Sequence, residues 1–157
     1  MSTVPKAFYP RNPNLRNSAL VEAYLFCLRR EWRVAGRLLG LALACEIRSA
    51  VPERLFIPHP AGIVVANGAK IGNDVVLLQQ ATLGCRSAYA DTLPGDGDPT
   101  LEEGVYVGPG ARILGRIVIG AWSIIGANAV VTESVPPYSM VVGHNKILPA
   151  TTKDLKP

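Results

Sequence analysis

The sequence predicts a mainly β protein: a parallel β-helix of hexapeptide repeats preceded by a short N-terminal helical region. Two observations carry this. Over Ile47–Gly84, and again over Leu101–Pro136, an aliphatic residue returns at nearly every sixth position. The fifth position of each six is small or apolar. A period of six fits neither a helix nor an isolated strand. It fits one short strand plus one turn per unit, with three units closing a coil.

Written in sixes, the first run reads IRSAVP, ERLFIP, HPAGIV, VANGAK, IGNDVV and LLQQAT. Its first slots hold Ile47, Glu53, His59, Val65, Ile71, Leu77 and Leu83, and its fifth slots Val51, Ile57, Ile63, Ala69, Val75 and Ala81. The second run reads LEEGVY, VGPGAR, ILGRIV, IGAWSI, IGANAV and VTESVP. There the first slots are Leu101, Val107, Ile113, Ile119, Ile125 and Val131, and the fifth Val105, Ala111, Ile117, Ser123, Ala129 and Val135. First-slot side chains point into the coil, and stacking buries them, since no rung is stable alone. Gly72, Gly108, Gly120 and Gly126 each follow a first slot and read as tight corners that need a permissive backbone. A β-sandwich with coincidental spacing is the competing reading, and two long runs in one register weigh against it.

Residues 1–45 form the arm and helical region. Pro5, Pro10 and Pro13 keep the first residues extended, and the polar start does not resemble a signal peptide. Asn17 or Ser18 caps a helix, which Gly36 divides into two. The most apolar run, Val34–Ile47, reads as a buried helix, too short for a comfortable span and interrupted by Arg37. Arg29, Arg30, Arg33 and Arg37 beside apolar residues leave peripheral membrane contact as a minor alternative. The β-helix occupies 46–136. The polar stretch 85–100, with its PGDG, breaks the repeat and reads as a loop thrown out from the coil, where function is often placed. Residues 137–157 form a cap and tail, with Pro136 and Pro137 stopping the repeat and the next stretch covering the open end.

Composition narrows the function. The chain has 157 residues, enough for one domain. A net charge of +4 suits an anionic small molecule and is far from a nucleic-acid signature. Cys27, Cys45 and Cys85 show no CxxC spacing, so neither a zinc cluster nor a disulfide framework is expected, and a cytoplasmic location fits. Two histidines are too few for a coil-borne metal hydratase with three histidine ligands per site, and no metal is expected. No P-loop or dinucleotide fingerprint is present. His59 and His144 are the candidates for a general base. Pro58 and Pro60 turn His59 away from regular strand geometry, whereas His144 reads as an exposed loop residue. Cys85 has no activating histidine close in sequence, which disfavours a covalent mechanism.

The segments PHPAGIVVANGAKIGNDVVLLQQATLG, GVYVGPGARILGRIVIGAWSIIGANAVVTESVPP and VVGHNKI resemble the hexapeptide-repeat acyltransferases, within them the serine acetyltransferase group. The resemblance covers roughly 45–148. It implies a left-handed β-helix that assembles as a homotrimer, sometimes stacked further, with active sites between subunits. It implies acetyl transfer from acetyl-CoA to a hydroxyl, with His59 at the position of the family's catalytic histidine. The family's orienting acid falls on Ala44; Glu46 serves if the first coil is two residues shorter, and Glu53 is the runner-up. The positions that hold the CoA arm match Cys85, Pro109 and Ala127. Lys146 matches a basic tail residue suited to the CoA phosphates, with Arg112 and Arg116 as alternatives.

The departures bear on the acceptor. Serine-specific members carry Asp before the histidine and an Arg-His pair in the loop; here these positions are Pro58, Gly97 and Asp98. Asp98 repels a carboxylate. The expected acceptor is therefore a hydroxyl of a sugar, polysaccharide unit or small metabolite, met by Asp98 with Asp91 and Asp96. Arg86 is placed to hold a carboxylate from another direction, and serine O-acetylation for cysteine biosynthesis is the alternative. A β-helix scaffold that only binds partners is the non-enzyme alternative.

Overall fold

A computed structural model describes residues 16–86 and 97–149. Two helices, α1 (Ala19–Arg29) and α2 (Arg33–Leu43), precede fourteen short strands. The strands are β1 (Glu46–Ile47), β2 (Leu55–Phe56), β3 (Val64–Val65), β4 (Lys70–Ile71), β5 (Val75–Leu77), β6 (Thr82–Gly84) and β7 (Thr100–Leu101). Then come β8 (Tyr106–Val107), β9 (Arg112–Leu114), β10 (Val118–Ile119), β11 (Ile124–Ile125), β12 (Val130–Val131), β13 (Ser139–Val142) and β14 (Lys146–Pro149). They form the three faces of a left-handed parallel β-helix, with orders β1-β3-β6-β9-β12, β10-β7-β4 and β14-β13-β11-β8-β5-β2.

Register carries the architecture. Glu46 pairs with Val64 and Val64 with Thr82, a step of eighteen residues, three hexads per coil. Thr82 pairs with Arg112, a step of thirty, so the stretch after Gly84 inserts twelve residues into one coil and the repeat resumes in phase. Inside, Val65, Leu83, Ile113 and Val131 on one face, Leu77, Val107 and Ile125 on the second and Ile119 on the third are fully buried. Each contributes about 1.5–3 kcal/mol of burial. Ser123 is the one polar fifth slot in the regular runs; its hydroxyl donates to Pro136 O at 2.9 Å and accepts from Ser139 N at 3.2 Å, so its burial is compensated.

Several expectations change. The glycines after the first slots are required for stacking, not for backbone freedom. A Cβ on Gly72 would lie 2.8 Å from the backbone of Glu102 and Glu103, and one on Gly108 2.8 Å from Ala127 N. Left-handed backbone instead recurs in the fourth slot, at Gly62, Gln80, Gly110 and Asn128 on one corner and Asp74, Gly104 and Trp122 on another, with Tyr138 at the equivalent place one coil on. Pro136 and Pro137 do not stop the coil. Val135 bridges to Ile119, β13 adds in parallel to β11, and His144 bridges to Val130, before β14 turns back antiparallel to β13.

The helices also differ from expectation. Ser18 is the N-cap of α1, its side chain accepting from Val21 N. The break falls at Arg30–Trp32; Gly36 lies inside α2, facing Cys27 and Leu28 at a distance that a Cβ would meet as ordinary contact. The run from Val34 is not a buried helix, for Val34, Leu38 and Leu41 are exposed. α1 is the element that closes the first coil. Val21, Tyr24 and Leu25 join the solenoid core, and polar groups of α1 and its cap satisfy backbone that has no coil beneath it. Tyr24 OH donates to Cys45 O and accepts from Ile47 N, and Arg29 donates to the carbonyls of Pro52 and Glu53. Asn17 donates to Leu55 O and accepts from Ile57 N.

Candidate active site

The first coil is out of step with the coil above it. Leu55 pairs with Val75 and Phe56 with Val76, a step of twenty. Ile57, fully buried, thereby takes the level that Leu77 holds one coil up, and His59 leaves the inward slot. Between β1 and β2 the chain is two residues short of a regular coil, and between β2 and β3 it is two residues long. The surplus, Pro58–His59–Pro60, bulges from the edge between the six-stranded and five-stranded sheets and leaves His59 exposed. Gly62 closes the bulge: its N donates to Ala44 O at 2.7 Å, at a φ of 74°. Arg54 pins the displaced strand to the coil above through a bidentate pair with Asp74 at 2.8 and 2.9 Å. That pairing pushes its guanidinium pKa further up.

Above the bulge, Ala61, Gln79, Pro109 and Ala127 stand in one column along the same edge. Among the described residues the backbone N–H groups of Ala61, Gln79 and Ala127 donate to nothing. Pro109 has no N–H, and its carbonyl accepts from Asn128 N at 2.8 Å, so Pro109 does not fit as a donor to the CoA arm. Ala127 fits. The Gln79 carboxamide oxygen is buried without a partner, on the coil directly above His59. Reading LLQQAT by slots misses it, because a third-slot side chain carries no burial signal.

The other candidates lie elsewhere. Cys85, Arg86 and Asp98 stand on the edge between the five-stranded and three-stranded sheets, the width of the five-stranded face from His59. Asp98 Oδ2 accepts from Gly68 N at 2.8 Å, closing the base of the inserted stretch. Gly97 lies against Arg116. Asp91 and Asp96 fall outside the described residues. Lys146 is exposed on β14 at the far end of the solenoid, and Arg112 is held by Gln80 O and the Thr82 hydroxyl. His144 is at the opposite end of the five-stranded face from His59.

The chain is two residues short only between Glu46 and β2, while the whole coil from Glu46 to Val64 keeps eighteen residues, so the condition set for Glu46 is met on that one side alone. Its backbone N donates to Ile63 O, which places it beneath the strand that follows His59. Its carboxylate, however, accepts from Arg48 Nε at 2.6 Å, and no hydrogen bond joins it to His59. Glu53 is exposed with β2 between it and His59. At the base, burial pushes the Tyr24 hydroxyl up to about 12 and the Cys45 thiol up to about 12, so both stay protonated as spacers beneath the site.

Comparison with known proteins agrees with this fold. The bacterial transferase hexapeptide (six repeats) model matches residues 98–133. A serine acetyltransferase of Mycobacterium tuberculosis is 38% identical over 122 residues, covering 71% of this chain and 52% of the relative. The solved serine acetyltransferase of Neisseria gonorrhoeae, in complex with serine, aligns with a TM-score of 0.60 at 30% identity, over 79% of this chain and 53% of that one. A serine acetyltransferase in complex with CoA aligns at 0.54 and 28% identity, over 77% and 52%. The chain spans about half the length of these relatives. With its in-phase hexads, three-faced coil and displaced corner histidine, the chain belongs to the hexapeptide-repeat acyltransferases, in the serine acetyltransferase-like group.

Proposed function

We propose that the protein is an acetyl-CoA-dependent O-acetyltransferase whose acceptor is the hydroxyl of serine. The carrying observation is the displaced corner: His59 is thrust out of the repeat beneath a column of free backbone amides. A neutral hydroxyl is a poor nucleophile. His59 takes its proton as the oxygen attacks the thioester carbonyl, and the protonated imidazole then gives that proton to the departing CoA thiolate. The C–S bond breaks as the ester C–O bond is completed. The amides of Ala61, Gln79 and Ala127 are donors for the pantetheine chain and the oxyanion, and Lys146 suits the phosphates.

Glu46 orients the imidazole after leaving Arg48. The exchange is inexpensive, since an exposed ion pair is worth about 0–1 kcal/mol. Arg86 holds the acceptor carboxylate. Because Arg86, Cys85 and Asp98 lie on a different edge from His59, one chain carries two half-sites. A threefold assembly that sets the second edge of one copy against the first edge of the next completes each site.

The likeness to serine acetyltransferases favours serine over the sugar-type acceptor expected from Pro58 and Asp98. Asp98 is engaged with Gly68 N, which gives it a structural role that does not require contact with substrate. Sugar acetylation stands as the second reading, carried by Pro58, whose side chain cannot bind an ammonium. Steady-state thiol release from acetyl-CoA with serine and with a sugar panel separates the two. A kcat/KM for serine near or above about 10⁴ M⁻¹s⁻¹ is expected; turnover with sugars and none with serine overturns the serine reading.

A further inference from the structure

The helical end carries a surface that the transferase site does not use. Phe26 and Trp32 meet edge to face at 5.6 Å, and from Trp32 an apolar band runs along α2 through Val34, Leu38 and Leu41. These side chains are among the most exposed large hydrophobics of the described residues: 57% for Trp32, 75% for Val34, 64% for Leu38 and 79% for Leu41. The band lies opposite Gly36 and Gly40, the positions through which α2 packs on α1.

Arginines border it. Arg33 and Arg37 share one edge of α2, and Arg30 sits 5.5 Å above the Phe26 ring. Arg29 is bound to the first coil, but Arg30, Arg33 and Arg37 have no carboxylate partner among the described residues. Over residues 16–48 there are six arginines against three glutamates. No Ser, Thr, Asn or Gln interrupts α2. A specific protein interface carries about one hydrogen bond per 100–200 Å², and this band offers apolar side chains and cations instead. Pairing two copies antiparallel through α2 sets arginine edge against arginine edge. No helix among the described residues is long and apolar enough to cross a membrane, so contact through this face is peripheral.

From this juxtaposition we infer that the α2 face docks on an anionic lipid bilayer. Val34, Leu38 and Leu41 enter the headgroup boundary, and Arg30, Arg33 and Arg37 meet lipid phosphates. The test is flotation of the full chain with vesicles of phosphatidylcholine alone and of phosphatidylcholine mixed equally with phosphatidylglycerol. Binding to the mixed vesicles is expected. It should weaken about thirtyfold in the double variant Arg33→Gln, Arg37→Gln, at roughly a factor of five per arginine. Leu38→Asp, exposed and therefore compatible with folding, should abolish it.

Three results overturn the inference: no flotation with mixed vesicles at low salt, equal flotation with both compositions, or loss of binding in neither variant. Particle size that falls on Leu38→Asp, without vesicle binding by the parent, assigns the face to a second copy and overturns it equally. Serine acetylation in solution is read separately, so failure here leaves the transferase reading untouched.

Discussion

The second coil and the first coil are made of similar hexads, but only the second keeps the beat. In the second, Val65 is buried in line with Leu83 and Leu77 in line with Val107, and β3 and β5 each pair with a strand on both sides. In the first, the chain slips by two residues, Ile57 fills the core in place of His59, and α1 replaces the missing coil beneath. Periodic burial makes the solenoid rigid and chemically blank. The interruption exposes the His59 imidazole on a backbone held by rigid elements, where regular packing would have buried it.

The largest effect separates these regions by chemistry. His59→Ala should lower acetyl transfer by about two to four orders of magnitude, with the circular dichroism spectrum and CoA binding retained. Wild-type turnover by this variant would break the assignment of the displaced corner as the site. The next effect separates them by stability. Ile113→Ala, in a regular coil, should cost about 2–5 kcal/mol through the cavity it leaves, lowering the global melting temperature. Asn17→Ala should act locally: two backbone groups of the first coil lose their partner, at about 1–3 kcal/mol. Hydrogen exchange should quicken around Ile57–Gly62 and remain slow at Ile113. Uniform loss of protection in Asn17→Ala would mean that the first coil is not an independent unit.

The smallest effect is alkaline. Tyr24 and Cys45 hold their protons more tightly folded than unfolded, at about 12 each against ordinary values of 10.0 and 9.0. Stability from this source is complete below about pH 9. It is lost as pH rises towards 12, because the unfolded chain releases those protons first. Tyr24→Phe and Cys45→Ala should each flatten the fall in melting temperature over that window. An unchanged slope in both would remove the helical base as its cause.

Most of the solenoid was legible because hydrophobic burial writes itself at fixed spacing. The sixfold slots of Val65–Gly84 and Leu101–Val135 read directly, and the polar break over 85–100 showed with no loss of phase, although its size of twelve inserted residues came only from strand pairing. The slip in the first coil read only in outline, from the prolines around His59 and the shorter coil that Glu46 would need, because a ruler of six passes through both Glu53 and His59. Only strand pairing tells that Ile57, and not His59, faces inward. The exposed band of α2 was hidden for a related reason: apolar composition reports what seeks burial, not whether a partner within the chain supplies it. Glu46 was legible as a candidate, but its pairing with Arg48 was not, since both are exposed and free to choose among neighbours.

The proposed site is split between two edges of neighbouring copies. Mixing His59→Ala protein with Arg86→Glu protein, after dissociation and reassembly, tests it most directly. Each variant by itself should be nearly inactive. Random reassembly should restore about a quarter of wild-type serine acetylation, since intact edges from different copies then meet. Activity no higher than the average of the two separate variants would contradict a site shared between chains.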